Sequence, residues 1–420
     1  MNTTADRPSM LKEYANVAGH DVIDHLRQLV NQISGLRIVH VNSTRVGGGV
    51  AEILYKLVPL MQELGLETSW EVIEGNDDFF QCTKNMHNAL QGDRVQISPE
   101  LYRAYEDTNR QNAETLRPVL ESADVVFIHD PQPAPLLHLC PNRKGKWIWR
   151  CHIDLSRPHR PVWKYLREVV KDYDASIFSL SGFARMLDHP QYLIPPSIDP
   201  LSDKNTELPE DEIKKICSDL DIDPSRQIIL QVSRFDRFKD PIGVIQAFRM
   251  ARRYYPDLLL VLAGGSATDD PEGTIVLNEV KNFAGNDPAI RILELPPDAH
   301  RTINALQRTA GIVMQKSLKE GFGLTVTEAM WKGRPVIGGN VGGIRLQVIN
   351  HHTGYLVNTP EGAALRLTYL LERPDRLTEM GRKAREFVRE NFLITRQLRE
   401  YLTVVAALIH GVEDRLVMTV

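Results

Sequence analysis

Hydrophobic and polar positions follow one another in blocks along this chain. Short aliphatic runs are each followed by a polar or glycine-rich turn and then by a stretch with helical periodicity. In the first half the runs are 36–43, 69–75, 123–130, 147–154, 175–181 and 192–199. In the second half they are 228–235, 258–265, 290–295, 311–317 and 334–340. Aliphatic runs of this kind suit strands buried on both faces, so the alternation predicts an α/β protein with parallel sheets.

A proline-rich stretch separates the two series of runs. Residues 195–212 carry four prolines and several acids. We therefore predict two doubly wound domains, over 1–197 and 198–391, facing across a deep cleft, and a C-terminal helix within 392–420 that packs back towards the first domain. Ligands of such sheets collect at the carboxyl ends of the strands, so the cleft is the expected binding site.

Bulk properties narrow the functional class. A chain of 420 residues is too long for one ordinary core. Its net charge of −4 gives no general reason to expect a nucleic acid or an anionic membrane as partner. The N-terminus lacks the apolar core of a signal peptide and no run is long enough to span a membrane, so a cytoplasmic location is expected. The widely spaced Cys82, Cys140, Cys151 and Cys217 indicate buried or half-buried thiols rather than a zinc site or disulfides.

A glycine-rich turn follows the first predicted strand. Gly47, Gly48 and Gly49 precede a helix, where glycine permits close approach of a ligand and the helix N-terminus favours an anion. The dinucleotide-binding pattern would require glycine or alanine at position 52, where Glu52 stands. Glu74, at the end of the next strand, leaves a nicotinamide-dependent dehydrogenase as an alternative. A tight turn that serves only packing is the structural alternative.

Polar side chains end two neighbouring strands of the first domain. His129, Asp130 and Gln132 follow one strand, and His152 and Asp154 follow the next. Adjacent strand ends bring these groups to one rim, where carboxylates and imidazoles suit a hydroxyl-rich ligand. A single histidine in this position is more often structural, and the cluster is what favours a binding site.

Two cations follow the first strand of the second domain. Arg234 and Lys239 lie in the turn where a ligand of a doubly wound sheet would sit, and together they suit a diphosphate. A solvated surface pair is the alternative. The D-x-D spacing within 219–223, which can hold a divalent metal, lies before this strand rather than after it. We therefore predict a solvated loop there and no metal site.

Residues 311–333 combine a strand, a glycine-rich loop and a helix that Gly333 is expected to end. The free N–H groups near Gly323–Thr325 are expected to point at a phosphate. Glu328, about one turn further on, would reach hydroxyls attached to that phosphate, such as a ribose diol. Glu320 would reach the other end of the ligand. Two surface glutamates are the structural alternative.

Several of these stretches together resemble a known family. EGFGLTVTE at 320–328 resembles the E-x7-E signature of retaining glycosyltransferase family 4, which has the GT-B fold of two Rossmann-like domains, and SRFDRFK at 233–239 resembles its phosphate-binding Arg and Lys. The stretches 41–54, 79–92, 129–134, 149–156, 195–202 and 326–338 resemble the trehalose glycosyltransferring synthases. The resemblance covers residues from about 10 to 410.

The resemblance implies a role for each matching residue. Arg234 and Lys239 would bind the donor diphosphate and stabilise it as it leaves. Glu328 would hold the ribose, Glu320 the transferred glucose, and His152 the donor sugar near its 6-hydroxyl. The implied donor-binding set also contains Gly48, Gly49, Gly321, Phe322, Gly323, Leu324 and Thr325. The implied acceptor contacts are Asn42 with the adjoining Ser43, Asp130, Gln132 and Asp154.

The resemblance also implies a reaction. Glucose would move from UDP-, ADP- or GDP-glucose to free glucose, forming α,α-1,1-trehalose reversibly and with retention. No carboxylate stands out as a nucleophile, unlike the two-carboxylate plan of glycosidases, so front-face attack assisted by the leaving phosphate is expected. No cofactor is required by this scheme; magnesium as a diphosphate counterion and a homodimer both stay open. The alternatives are a retaining trehalose phosphorylase, another family 4 transferase and a non-catalytic sugar-nucleotide binding protein.

Overall fold

The computed structural model describes residues 9–45, 49–265 and 271–411. Over these residues the chain divides into two compact units. The first contains the described residues up to Pro196 together with those from Ile394, and the second is Ser197–Leu393. In the described part of the chain, no helix combines the length and the apolar character that crossing a membrane requires.

The first unit is built on a parallel six-stranded sheet. Its strands are β1 Arg37–Asn42, β2 Glu67–Val72, β3 Val125–His129, β4 Lys146–Arg150, β5 Ala175–Phe178 and β6 Gln191–Leu193. They lie in the order β2-β1-β3-β4-β5-β6, so the order reverses between β1 and β3. Each of the six predicted runs overlaps one of these strands. The last strand has only three residues, because the prolines at 195 and 196 have no N–H to extend the ladder.

Helices cover both faces of this sheet, as crossover connections between parallel strands require. They are α1 Met10–Ala18, α2 His20–Gln32, α3 Gly49–Glu63, α4 Asp77–Leu90, α5 Pro99–Ser122, α6 Leu136–Leu139, α7 Arg160–Val170 and α16 Ile394–His410. Residues at the N-termini of two of these helices determine where the helices begin. Asn76 accepts a hydrogen bond from the N–H of Phe79 at α4, and Ser98 accepts one from Leu101 at α5, where Pro99 occupies the first turn.

The two faces of the first sheet differ in character. One face carries Val126, Ile128 and Trp149, which belong to an apolar core shared with α4 and α5. Alternate residues on the other face include Phe127, whose ring stacks on Tyr401 of α16 at a centroid distance of 5.2 Å. Because side chains alternate along a strand, His129 lies on the same face as Phe127. This face therefore combines apolar packing with a line of buried polar side chains.

The second unit also holds a parallel six-stranded sheet. Its strands are β7 Ile228–Val232, β8 Leu259–Gly264, β9 Ile290–Glu294, β10 Ile312–Gln315, β11 Val336–Gly339 and β12 Gly354–Val357. The order is β12-β11-β10-β7-β8-β9, which reverses between β7 and β10. The five predicted runs are confirmed as strands. The strand β12, which pairs with β11 at the edge of the sheet, was not predicted from the sequence. Its four residues form an apolar run too short to be recognised as a strand.

Eight helices are described around this second sheet. They are α8 Glu210–Asp219, α9 Pro241–Arg252, α10 Pro271–Ala284, α11 His300–Thr309, α12 Leu324–Trp331, α13 Ile344–Gln347, α14 Pro360–Leu371 and α15 Pro374–Asn391. Asp240 caps α9 by accepting the N–H of Gly243. Helix α9 ends at Arg252. Gly333 follows α12 with φ 71°, a conformation that favours glycine and terminates the helix.

The C-terminal helix α16 is part of the first unit. Arg396 of α16 donates to the carbonyl oxygens of Pro195 and Pro196 at 2.9 and 3.1 Å and pairs with Glu400 one turn further along. At its other end, His410 contacts the carbonyl oxygen of Gln32 through Nε2 at 2.9 Å. The last helix thus closes over the sheet face that carries Phe127.

Candidate functional site

In the second sheet the predicted residues follow the two strands between which the order reverses, and in the first sheet they follow those two strands and the neighbouring β4. The loops after β1, β3 and β4 hold the candidates of the first unit, and those after β7 and β10 hold the candidates of the second. Loops on the two sides of such a reversal diverge and leave a crevice at the carboxyl ends of the strands, which is where doubly wound sheets bind ligands.

The turn after β7 presents Arg234. Its side chain is 64% exposed, and its closest carboxylate contact is Asp236 at 3.5 Å. A Cβ atom on Gly264, the last residue of β8, would lie 1.7 Å from the carbonyl oxygen of Ser233. Glycine at this position therefore allows the Arg234 turn to cross the end of β8. The guanidinium is left accessible for a planar, doubly hydrogen-bonded contact with an anion.

Lys239 and Glu320 form a close ion pair. The ammonium nitrogen of Lys239 lies 2.7 Å from each carboxylate oxygen of Glu320. The two side chains are 18% and 9% exposed, and the hydroxyl of Ser317 donates to Glu320 at 3.1 Å. Two candidates that are far apart in sequence are thus brought together, one from the turn after β7 and one from the loop after β10. Each holds the other in place at the end of the sheet.

The glycine-rich loop leads directly into α12. Gly323 caps this helix with φ 85°, and the N–H of Val326 donates to its carbonyl oxygen at 2.9 Å. Leu324 and Thr325 form the first turn, where backbone N–H groups lack acceptors within the helix. Phe322 anchors the loop by packing against Phe392 at a ring-centroid distance of 5.7 Å. The helix N-terminus is therefore placed at the strand ends with the polarity that suits an anion.

A second glycine pair, which sequence reasoning missed, supports this loop. A Cβ atom on Gly342 would lie 1.7 Å from the carbonyl oxygen of Glu320. The N–H of Gly343 donates to Gly321 at 2.8 Å, and the amide of Gln347 donates to the carbonyl oxygen of Phe322 at 2.6 Å. The signal in the sequence is the pair of glycines that follows β11. They allow the loop after β11 to approach the glycine-rich loop at backbone distance.

Glu328 lies in α12 and is 6% exposed. Behind it, the ammonium of buried Lys332 donates to the carbonyl oxygen of Glu328 at 3.2 Å and to the side-chain oxygen of Asn205 at 3.0 Å. Burial lowers the pKa of Lys332, and the charge of Glu328 opposes that shift. Lys332 therefore ties the helix turn that carries Glu328 to the loop that carries Asn205.

The first unit brings three histidines into contact. Nδ1 of His40, on β1, lies 3.1 Å from Nε2 of His129 at the end of β3. Nδ1 of His129 lies 3.0 Å from Nε2 of His152, which follows β4. Burial lowers the pKa of all three rings, to about 3 for His40, and the buried guanidinium of Arg150 further lowers the pKa of His129 and His152. The three imidazoles are therefore neutral at ordinary pH.

Asp130 supports His152 from the neighbouring strand end. Its carboxylate accepts the backbone N–H of His152 at 2.7 Å, while Asp130 itself has φ 64°. Burial raises the pKa of Asp130 to about 7, against the effects of that hydrogen bond and of Arg150. At the centre of the predicted cluster, Asp130 is therefore a carboxyl group with a pKa of about 7. It lies beside His152, whose imidazole is neutral.

The other predicted residues of this rim are engaged differently. The amide of Asn42 donates to the carbonyl oxygen of Thr44 and accepts the indole N–H of Trp70, both at 2.8 Å. One carboxylate oxygen of Asp154 accepts the N–H of Ser156 at 2.7 Å, which shapes its own loop. In the structure, Asn42 and Asp154 therefore have a local structural role.

Three further predicted positions complete the description. Gln132 is half-buried in the turn after β3, where its carbonyl oxygen accepts the side-chain amide of Asn109 at 3.1 Å. Gly49 is the first residue of α3. Gly48 lies outside the described residues.

Across residues 9–45, 49–265 and 271–411 no group of three or more His, Cys, Asp or Glu side chains is arranged to hold a metal ion. In the D-x-D segment, Asp221 pairs with Arg291 at 2.9 Å, and Asp223 accepts the N–H and hydroxyl of Ser225. These contacts belong to a surface turn. The four cysteines are all buried and unpaired in disulfides.

Comparison with known proteins adds to this geometry. A family profile described as "Trehalose synthase, N-terminal domain" matches residues 40–185, and one described as "Glycosyl transferases group 1" matches residues 212–387. The trehalose synthase of Pyrococcus horikoshii is 44% identical over 95% of this chain and 96% of its own length. The trehalose phosphorylase of Pleurotus pulmonarius is 28% identical over 84% of this chain but only 55% of its own length.

A solved structure shares the fold at lower identity. The α,α-trehalose-phosphate synthase (UDP-forming) from Burkholderia vietnamiensis has a TM-score of 0.70 at 15% identity, covering 90% of this chain and 99% of that one. The predicted fold class, two doubly wound Rossmann-like units of the GT-B type, is confirmed by the two parallel sheets and by this similarity.

Proposed function

Because this chain belongs to the trehalose synthase family of GT-B glycosyltransferases, we propose that it moves glucose from a nucleoside diphosphate glucose to free glucose, forming α,α-1,1-trehalose reversibly. That the chain is a glycosyltransferase of trehalose metabolism follows from the family. The nucleotide donor, the glucose acceptor and the reversibility are the proposal. The name of the Burkholderia relative, a UDP-forming synthase, supports a nucleoside diphosphate as leaving group.

One observation carries the proposal. In the second unit, Arg234, the Lys239–Glu320 pair, the N-terminus of α12 and Glu328 all lie on the two loops flanking the reversal of strand order, together with the helix that follows one of them. They supply cations and N–H groups for a diphosphate and carboxylates for hydroxyls at either end of it. This is the set of contacts that a sugar nucleotide requires.

The diphosphate is assigned to Arg234, Lys239 and the first turn of α12. Breaking the bond between glucose and phosphate places negative charge on the diphosphate, so preorganised donors directed at it stabilise the transition state. Arg234 supplies a planar fork and Lys239 a compact charge. Because Glu320 holds the ammonium of Lys239 at 2.7 Å, the Lys239 side chain is already positioned before the donor binds.

The two glutamates are assigned to the two sugars of the donor. Glu320 would accept hydrogen bonds from the transferred glucose, with Gly321, Phe322 and Gly323 packing backbone beside it. Glu328 would hold the ribose diol. The contact of Glu320 with Lys239 supports this assignment, because a carboxylate that is already neutralised by an ammonium is a weak nucleophile. Retention would then arise from front-face attack by the acceptor hydroxyl, whose proton passes to the leaving phosphate.

The rim of the first unit is assigned to sugar hydroxyls. His152 would contact the donor glucose near its 6-hydroxyl, and Asp130, beside it, would contact the acceptor together with Gln132. The partly buried hydrogen bond from the backbone N–H of His152 to Asp130 supports their acting together. Asn42 and Asp154 are less favoured as acceptor contacts, since their side chains already make the internal hydrogen bonds described above.

The test is a donor and acceptor panel. The purified chain is incubated with UDP-, ADP- or GDP-glucose and glucose, and the products are separated by chromatography. Proton NMR of the disaccharide reports the configuration at both anomeric carbons. We expect non-reducing α,α-linked disaccharide and an equal amount of nucleoside diphosphate. No disaccharide with any donor would contradict the proposal, and a β-configured carbon would contradict retention.

Parallel reactions distinguish the alternatives. Incubation of trehalose with inorganic phosphate in the absence of nucleotide would release glucose 1-phosphate from a phosphorylase, for which the similarity to the Pleurotus enzyme is the supporting observation. Donor binding by calorimetry without any transfer would indicate a binding protein. We expect neither result. Repeating the donor panel in a chelator tests magnesium, and we expect activity to persist because Arg234 and Lys239 supply positive charge.

A further inference from the structure

The three histidines of the first unit form a hydrogen-bonded chain that has a direction. His40 contacts His129 through Nδ1 and Nε2 at 3.1 Å, and His129 contacts His152 through the same pair of atoms at 3.0 Å. A neutral imidazole carries a proton on one ring nitrogen and a lone pair on the other. If one ring donates through Nδ1, the next must accept through Nε2 and then carry its own proton on Nδ1. Two arrangements are therefore self-consistent, with the proton on Nδ1 of every ring or on Nε2 of every ring.

The surroundings keep all three rings neutral, which both arrangements require. His40 is fully buried, and His129 is 2% exposed. The guanidinium of Arg150, also fully buried, donates to Ser179 at 3.3 Å and to the carbonyl oxygen of Ile194 at 2.9 Å, and it disfavours a second positive charge nearby. Protonating His129 would also break one of its two contacts in either arrangement, because an imidazolium has no lone pair to accept with.

The buried end of the chain selects one arrangement. Nε2 of His40 is buried and has no hydrogen-bond partner among the described residues. In one arrangement this atom carries an N–H, and a buried donor without an acceptor loses the full free energy of its hydration. In the other it carries only a lone pair, and buried acceptors without partners are tolerated more often than buried donors. The arrangement with the proton on Nδ1 of each ring is therefore the more stable one.

We propose that His40 and His129 are positioning residues that hold His152 in the tautomer with its proton on Nδ1, so that the ring offers a hydrogen-bond donor to the ligand. Nε2 of His152 is occupied by His129, and Nδ1 makes no hydrogen bond to the described residues. The nitrogen available to a ligand is thus an N–H. His152 donates to an oxygen and does not act as a general base. The proposed function enters only through the ligand, a sugar oxygen of the glucosyl donor.

The stacking of the chain explains how this geometry is kept. His40 lies flat against Phe127 with ring centroids 4.6 Å apart, and Phe127 lies flat against Tyr401. His129 stacks with both of its histidine neighbours at 5.4 Å. Rotation of any ring would have to displace these aromatic neighbours. The proton direction is therefore built into the packing between β1, β3 and α16 rather than set by solvent.

NMR of the ligand-free protein tests the proposal directly. The full chain is prepared with 15N-labelled histidine, and long-range proton–nitrogen correlations distinguish the two neutral tautomers and the imidazolium. Signals are assigned by their loss in His40→Phe, His129→Phe and His152→Gln. We expect His152 in the Nδ1-protonated form between pH 6 and 8. The Nε2-protonated form, an equal mixture or an imidazolium would overturn the proposal.

Two variants test whether the chain causes the tautomer. In His129→Phe the link to His152 is cut, so we expect both tautomers of His152 and a KM for the donor raised about fivefold with kcat less affected. In His40→Phe, Nε2 of His129 becomes the buried end, so the Nδ1 form of His152 should persist. His138→Phe is the control, since His138 is exposed and its side chain contacts Asp172 at 2.9 Å, away from the three histidines of the chain.

Each outcome of the variants decides the proposal. A folded His129→Phe protein in which His152 stays entirely in the Nδ1 form would show that its tautomer is set locally, and would overturn the role of the chain. A switch of His152 to the Nε2 form in His40→Phe would do the same. If neither variant folds, the wild-type spectrum still decides the direction. Because the spectra need no substrate, absence of glucosyl transfer would contradict the proposed function alone.

Discussion

The strand ends of the two units differ in how they treat charge. In the first unit the strand ends carry three imidazoles whose pKa values are lowered by burial, and Asp130, whose pKa is raised to about 7. In the second unit they carry an exposed arginine, a lysine–glutamate pair and a glutamate at 6% exposure. The same type of sheet therefore presents two different electrostatic environments, depending on the side chains that follow its strands.

This difference matches the needs of the proposed reaction. A departing diphosphate develops negative charge and is best stabilised by fixed cations and helix N–H groups. Sugar hydroxyls carry no charge and are best recognised by hydrogen-bonding groups of defined polarity. Neutral groups also avoid the cost of leaving an ion buried and unpaired when the ligand departs. We therefore expect substitutions in the second unit to affect turnover most, and those in the first to affect recognition and pH dependence.

The largest expected effect is on Arg234. In Arg234→Ala we expect kcat to fall about 100- to 1,000-fold, because the guanidinium answers a charge that grows in the transition state. The dissociation constant of the nucleoside diphosphate should change by less than about tenfold. Steady-state kinetics and calorimetry measure the two effects.

The control is Arg237→Ala. Arg237 is three residues away and pairs with Glu279 on the surface at 2.7 Å, so turnover should be unchanged. Equal and small effects of Arg234→Ala on turnover and binding would show that Arg234 does not stabilise the departing diphosphate. The expected difference between the two units in their effect on turnover would then be wrong.

The next largest effect concerns the ion pair. Lys239→Met leaves the carboxylate of Glu320, which is 9% exposed, without its cation. We expect the free energy of unfolding to fall by about 3 kcal/mol, because removing one partner of a buried pair strands the other. Urea unfolding measures this change. The double variant Lys239→Met/Glu320→Met should recover most of the loss, and a double variant less stable than the single one would contradict the account.

A smaller effect is expected for Glu328. In Glu328→Ala the donor should bind about 10- to 50-fold more weakly, which corresponds to the loss of charged hydrogen bonds to a diol. Turnover at saturating donor should change less. Calorimetry with the donor nucleotide measures the affinity, with Glu361→Ala in the first turn of α14 as a control on the same unit. An unchanged affinity would remove Glu328 from the ribose.

The smallest effect is a pH dependence in the first unit. The ordinary pKa of Asp130 is 3.8, and burial raises it to about 7 in the folded chain. Between these values the folded state retains a proton that the unfolded state has released, so the contribution of Asp130 to stability falls as pH rises. In Asp130→Asn the amide oxygen still accepts the N–H of His152, but this fall should disappear. Urea unfolding of both proteins at pH 5 and pH 8 measures how the free energy of unfolding changes with pH. The same change in both proteins would show that Asp130 does not titrate in this range.

The predictability of the site differs between its parts. The sequence was sufficient to locate Arg234 and Lys239 in the turn after one predicted strand and Glu328 in the helix after another. Each of these positions follows a clear apolar run. The contact of Lys239 with Glu320 could not, since the residues are 81 positions apart and meet only because β7 and β10 are neighbours. The support from Gly342 and Gly343 was missed because the approach of one loop to another leaves no periodic pattern.

The first unit shows the same division. His129 and His152 stand at strand ends and were recognisable as candidates. His40 lies inside the apolar run of β1, where a histidine reads as an ordinary strand residue. Its importance depends on β1 lying beside β3, and β3 beside β4, with the three rings on one face.

By itself, the sequence determined the two α/β units, eleven of the described strands and the residues at the strand ends, because these depend on local runs, turns and caps. The tertiary structure alone decided how those residues act together: which strands are neighbours, which charges are paired and which ring nitrogen is left for a ligand. The physical reason is that strand order and the burial of individual atoms are set by contacts between residues distant in the chain, and these contacts also fix the polarity of each hydrogen bond.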